Sequence, residues 1–180
     1  MKARGLQVRL EGGDELLSKL KPKLVATPVK NFFRTWGVMT SNYAKEGAPV
    51  NKGQLRASLT WEYMPMDSLG IPKGVRAGTN VEHAIFMEGG TGLLEDLRAI
   101  DNPVGGRKRH WPPPEALEEW ARLHGADPFV VARAIGLRGG LKPRRFLRNA
   151  YDKSELMIPN LLNVLKSEIE ALRAVGGPDV

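Results

Sequence analysis

The sequence predicts an α+β fold: a small antiparallel sheet packed by a long N-terminal helix, with additional C-terminal helices. Three observations predict it. Leu6 to Leu10 and Ala57 to Tyr63 alternate apolar and polar residues with period two, as half-buried strands do. Val29, Phe32, Phe33, Trp36, Thr40 and Tyr43 recur at helical spacing. Three aromatics on one helical face need a broad apolar partner, and a sheet supplies one. Beyond residue 112, apolar residues at three- and four-residue intervals are punctuated by proline and glycine, the pattern of several short helices.

Taken in order, Leu6, Val8 and Leu10 face one side of a first strand that Gly12 and Gly13 end. Asp14 reads as a helix N-cap before Leu16, Leu17 and Leu20, and Pro22 interrupts that helix by removing a backbone donor. Thr27-Pro28, a capping residue followed by proline at the first helical position, predicts the start of the long helix, which runs to about Ala44. Ala48-Pro49 opens a loop. Ala57, Leu59, Trp61 and Tyr63 then mark a strand, and Val75 to Thr79 and His83 to Met87 read as two more. Sequential strands of this kind pair most simply as an antiparallel meander.

Residues 90–112 are rich in glycine and carry the basic run Arg107-Lys108-Arg109-His110, which predicts an extended loop or arm. Pro112-Pro113-Pro114 leads into a helix with Leu117, Trp120 and Leu123 inward, closed by Gly125. Asp127-Pro128 starts another, to about Ile135, and Gly139-Gly140 break it. Pro143 opens the last helical region, which Pro159 splits before Leu161, Leu165, Ile169 and Leu172. The tail from about residue 176 is expected to fray. No internal repeat or linker divides the chain, so one structural domain over 1–180 is expected.

Composition bounds the function. The chain has 180 residues, 42% hydrophobic and 26% charged, the profile of a folded domain rather than a disordered one. No apolar run approaches the roughly 20 residues that cross a bilayer, and the first ten residues lack a signal-peptide core, so no membrane partner and a cytoplasmic site of synthesis are expected. Cysteine is absent, which removes disulfides, zinc–thiolate sites and thiol nucleophiles. The formal net charge is +7, which suits contact with nucleic acid or with an acidic protein surface.

Chemistry-bearing motifs are few. His83, His110 and His124 match no metal-ligand spacing, and no cofactor or metal is expected. Glu88-Gly89-Gly90-Thr91-Gly92 lacks the lysine of a phosphate-binding loop and reads as a turn after a strand. Glu115, Glu118 and Glu119 sit at a helix start, where negative charge suits the dipole. No catalytic residue is assigned, and an enzyme is not expected. The basic clusters Arg107, Lys108 and Arg109, and Arg138, Lys142, Arg144, Arg145 and Arg148, are candidate contacts for a protein partner or for DNA.

Three segments occur in a telling order. Ala48-Pro49-Val50-Asn51-Lys52-Gly53-Gln54-Leu55-Arg56-Ala57-Ser58-Leu59 comes first, then Val75 to Asn80 with Val81-Glu82-His83-Ala84-Ile85-Phe86-Met87-Glu88-Gly89-Gly90-Thr91. Lys142-Pro143-Arg144-Arg145-Phe146-Leu147-Arg148-Asn149-Ala150 follows before the terminal helix. In this order they resemble the tail-component family of long-tailed bacteriophages, which includes head–tail joining (neck) and tail-completion proteins. Lys52 stands where the family has threonine, His83 where it has tyrosine, and Arg145 and Asn149 where it has prolines. The resemblance spans roughly residues 14–170. It implies a structural virion protein at the head–tail junction or head-proximal tail end, as a tail-completion protein, tail terminator or neck ring. It also implies a ring oligomer, a hexamer, with other neck and tail proteins and genomic DNA as partners, assembled in the host cytoplasm. The alternative reading is a basic nucleic-acid-binding module.

Overall fold

The apolar stripe of the N-terminal half organises the sheet. In the computed structural model, residues 6–9, 22–91 and 110–176 are described. The helix expected at 14–20, most of the 90–112 arm and the end of the tail lie outside them. The fold is α+β, and its contacts gather into two units.

The first unit comprises Met1–Glu46, Leu59–Thr79 and Leu147–Val180. Strands β1 (Leu6–Arg9), β2 (Thr60–Tyr63) and β3 (Gly74–Gly78) form one antiparallel sheet in the order β1-β3-β2. Trp61 lies opposite Ala77 and Tyr63 opposite Val75, so these four share a face, while Glu62 and Arg76 pair across the other and meet at 3.4 Å. The β2–β3 connection is shaped by Asp67, whose carboxylate accepts from the N–H groups of Leu69 (2.9 Å) and Ile71 (2.8 Å). That turn delivers Ile71 into the core.

Helix α1 (Pro22–Gly47) buries Val25, Val29, Phe32, Phe33 and Trp36 together with Ile71 and Val75. Its start corrects the expectation drawn from Thr27-Pro28. Pro28 sits inside the helix and is buried. Loss of one backbone donor is outweighed by burial of Val25 on the turn before it, since a fully buried valine contributes about 1.5–3 kcal/mol. Gly37 marks the closest approach to the sheet: a Cβ there would stand 2.6 Å from the Trp61 ring. Helix α1 ends as its chain reaches Ala48-Pro49, because a residue preceding proline avoids helical geometry.

Helices α6 (Phe146–Glu155) and α7 (Ile158–Gly176) complete this unit. The break falls at Leu156-Met157, just ahead of Pro159 rather than at it. Ile158, Leu161, Leu165 and Ile169 of α7 and Tyr151 of α6 pack against the core, whereas Leu172 is exposed. Ser154 is completely buried. It accepts from the Trp36 indole N–H at 3.0 Å and donates to the Tyr151 carbonyl at 2.9 Å. Thr40 Oγ1 stands 2.9 Å from both Ser154 Oγ and the Trp36 carbonyl, closing a buried polar network.

The second unit comprises Gly47–Ser58 and Asn80–Phe146. Its elements among the described residues are α2 (Gln54–Ser58), α3 (Ala84–Gly89), a 3-10 turn (Pro114–Leu117), α4 (Glu118–Leu123) and α5 (Pro128–Leu137). Two strand expectations are corrected here. Gly53, at φ +80°, starts α2, and its carbonyl accepts from Ala57 N–H at 2.8 Å, which takes Ala57 and Ser58 out of the strand. His83 to Met87 is a turn and helix α3 rather than a strand. Five residues are too few to separate period two from a helical turn, and tertiary hydrogen bonds at the α3 C-terminus decide the outcome.

Candidate functional site

Unit two holds residues 48–58, 80–91 and 142–146 of the three segments, while Leu59, Val75–Thr79 and Leu147–Ala150 belong to the first unit. Helix α3 is too short to satisfy its own last carbonyls, and the chain supplies donors from more than fifty residues away. Arg144 N–H donates to the Met87 carbonyl at 2.7 Å and Arg145 N–H to that of Glu88 at 3.2 Å. One step further on, Thr91 N–H donates to the Leu141 carbonyl at 3.0 Å, and Leu141 N–H donates to Thr91 Oγ1 at 3.0 Å. Gly90 lies between these pairs at φ +70°, and a Cβ on it would stand 2.5 Å from the Leu141 carbonyl oxygen. The Glu88-Gly89-Gly90-Thr91 segment closes helix α3 rather than forming a turn after a strand. It is one half of a backbone clasp whose other half is Leu141 to Arg145.

The first segment, up to Ser58, joins the same unit. A Cβ on Gly47 would be 3.3 Å from the Phe146 Cβ, and Phe146, Ala48 and Leu55 are all buried. Lys52 forms an ion pair with Glu119 of α4, so the residue that departs from the family pattern has a partner within the unit. Both side chains are substantially exposed, and such a pair stabilises by well under about 1 kcal/mol.

Around the clasp, α4 and α5 form a helical pair built on small residues. Ala121, Ala132 and Gly136 are buried, and the Trp111 ring lies directly over Gly136. Asp127 caps α5, its carboxylate accepting from Phe129 N–H (2.7 Å) and Val130 N–H (3.2 Å), with Pro128 preset at the first helical position. The expected inward face of α4 is corrected: Trp120 and Leu123 are exposed, and Ala121 is the buried residue.

The predicted contact residues divide three ways. Arg107, Lys108 and Arg109 lie outside the described residues. Arg138, at the C-terminus of α5, Lys142 and Arg144 are exposed, while Arg145 is half-buried with φ 51°. Arg148 belongs to the first unit, where its side chain is exposed. Sequence reading missed a second feature of this unit. Phe129 (68% exposed), Val130 (65%) and Leu123 stand in solvent, and Trp120 stacks on His124 at 4.1 Å between ring centroids. Among the described residues no cluster of histidine, aspartate and glutamate is placed to hold a metal ion, and no helix is long and apolar enough to cross a membrane. No protein-family model, curated protein or solved structure matches this chain.

Proposed function

We propose that the chain is a structural protein of a tailed-phage particle, acting at the head–tail junction or the head-proximal end of the tail as a subunit of a hexameric ring. The observation that carries this reading is the meeting, within unit two, of parts of all three segments that resemble the phage tail-component family. Residues 48–55, Met87–Thr91 and Leu141–Phe146 all contribute buried side chains or backbone hydrogen bonds to it. Motif residues that meet as scaffold favour a role in shape and assembly over one in chemistry.

A second observation supports association. Phe129 and Val130 are adjacent, two-thirds exposed, and mounted on a helix whose N-terminus is firmly capped. Large apolar side chains on a rigid helix suit burial against another subunit. Closing a ring requires two different patches per subunit, so this patch would supply one of them. Its partners in the particle are copies of itself and other neck and tail proteins, with the host cytoplasm as the place of assembly.

The test is mass measurement in solution across a concentration range, followed by the same measurement on Phe129→Glu/Val130→Glu. A concentration-dependent oligomer that the double variant abolishes, with its melting temperature retained, supports the reading. A chain that stays monomeric at all concentrations and fails to sediment with phage tails or heads overturns it.

A further inference from the structure

The positive charge of this chain is concentrated. From residue 128 to residue 146 there are five cations, Arg133, Arg138, Lys142, Arg144 and Arg145, and no carboxylate, so five of the seven net positive charges fall in this stretch. Arg138, Lys142 and Arg144 have exposed side chains, and none of the three is ion-paired with a described residue. The backbone on either side of Lys142 is held by hydrogen bonds. Arg138 N–H donates to Ala134, Gly139 to Gly136, Gly140 to Ile135, Leu141 to Thr91 Oγ1, Arg144 to Met87 and Arg145 to Glu88. Pro143 fixes its own φ and has no donor to satisfy. The cations are thus mounted on a clamped frame, and an anion that binds them orders side chains only.

We infer that the Arg138–Arg144 turn is a sequence-independent contact for the phosphate backbone of duplex DNA. Two features favour DNA over an acidic protein surface. Between the three cations, Gly139 and Gly140 are buried and Leu141 and Pro143 half-buried, so that segment offers no exposed apolar anchor; the exposed Leu137 lies before it, on α5. Protein interfaces are centred on such anchors and are depleted in lysine, whereas phosphate contacts are made chiefly by arginine and lysine. The turn also presents no helix or strand that could enter a groove, so it can register phosphates without reading bases. This inference goes beyond the structural role proposed above and does not rest on it, because the turn lies within a single subunit.

The experiment is fluorescence anisotropy with the full chain and two 30-base-pair duplexes of unrelated sequence, between 50 and 200 mM salt. Three phosphate contacts predict a log–log salt slope of about −2.7, hence about a 40-fold loss of affinity over that range, equal for both duplexes. Arg138→Gln/Lys142→Gln/Arg144→Gln should weaken binding at least tenfold and flatten the slope by about that amount. Lys73→Gln/Arg122→Gln/Lys166→Gln, which removes as much charge elsewhere, should leave the slope nearly unchanged. Thermal melting of both variants shows whether the fold is intact, and Arg138→Lys/Arg144→Lys should bind like the parent if the first variant melts early. Equal slopes for the two triple variants overturn the inference, as does absence of duplex binding. Equal affinity for polyglutamate and for duplex overturns it in favour of an acidic protein partner. Each of these results is read on the isolated chain, so none of them bears on ring assembly.

Discussion

The Trp36 indole N–H donates to Ser154 Oγ at 3.0 Å, joining residues 118 positions apart inside the core of the first unit. Both side chains are buried, Trp36 being 3% exposed and Ser154 not at all. A buried donor in an aromatic core has no other acceptor to turn to, so the serine hydroxyl is held there by the cost of leaving the indole unsatisfied.

Ser154→Ala should therefore destabilise the chain by about 1–3 kcal/mol, measured by urea denaturation. Thr40→Val in the same background should cost less than it does alone, because both changes dismantle one network. Additive effects would show that the hydroxyls act independently.

Gly90 and Gly53 share positive φ, +70° and +80°, but only Gly90 has backbone within 4 Å of where a Cβ would lie. Gly53→Ala should cost about 1–2 kcal/mol from the left-handed backbone alone. Gly90→Ala should cost about 1–3 kcal/mol more, through opening of the clasp against Leu141. Equal losses would remove the argument for steric closure at residue 90.

Asp127→Ala should destabilise by about 0.5–2 kcal/mol, and Asp127→Asn by far less, because either oxygen-bearing side chain can accept from Phe129 and Val130 N–H. Hydrogen exchange at those two amides reads the effect locally.

Burial raises the pKa of both Tyr63 and Tyr151 above 10.0, with the neighbouring carboxylates Glu155 and Asp152 adding to the rise at Tyr151 and Arg34 opposing it at Tyr63. The neutral phenol is the form the fold favours. Their contribution is fully present below pH 10 and is lost as pH rises through the raised value. Ultraviolet titration should show these phenols ionising later than free tyrosine, and Tyr63→Phe should lessen the decline in stability above pH 10.

How much of this was legible depended on the range of the interaction. The α1 stripe, the strands about Val8, Trp61 and Val75, and the Asp127-Pro128 cap are local patterns, and each is present at or near its expected place. Two of the corrections turn on residues elsewhere in the fold, whereas the loss of Ala57 and Ser58 from the strand follows from the local Gly53–Ala57 hydrogen bond. Pro28 is tolerated inside α1 because Val25 and Val29 are buried against sheet residues forty or more positions away. His83 to Met87 becomes helical where Arg144 and Arg145 supply donors from a distant segment. Trp120 faces solvent where Ala121, its neighbour in sequence, takes the buried position of α4. The basic cluster at 138–145 was found by charge alone, but the clasp that holds it could not be, since hydrogen bonds between backbone groups leave no mark on residue identity.

The division of the chain into units fixes an order of events during synthesis. Unit two is complete once Phe146 has left the ribosome, whereas unit one needs residues beyond it: Ser154 for the Trp36 indole, and Ile158, Leu161, Leu165 and Ile169 for the apolar core. A nascent chain that has emerged only as far as Phe146 would hold all of the central module, together with a long helix with its phenylalanines still wet. Its exposed apolar stripe would be hidden only when α6 and α7 supply Ser154, Ile158, Leu161, Leu165 and Ile169.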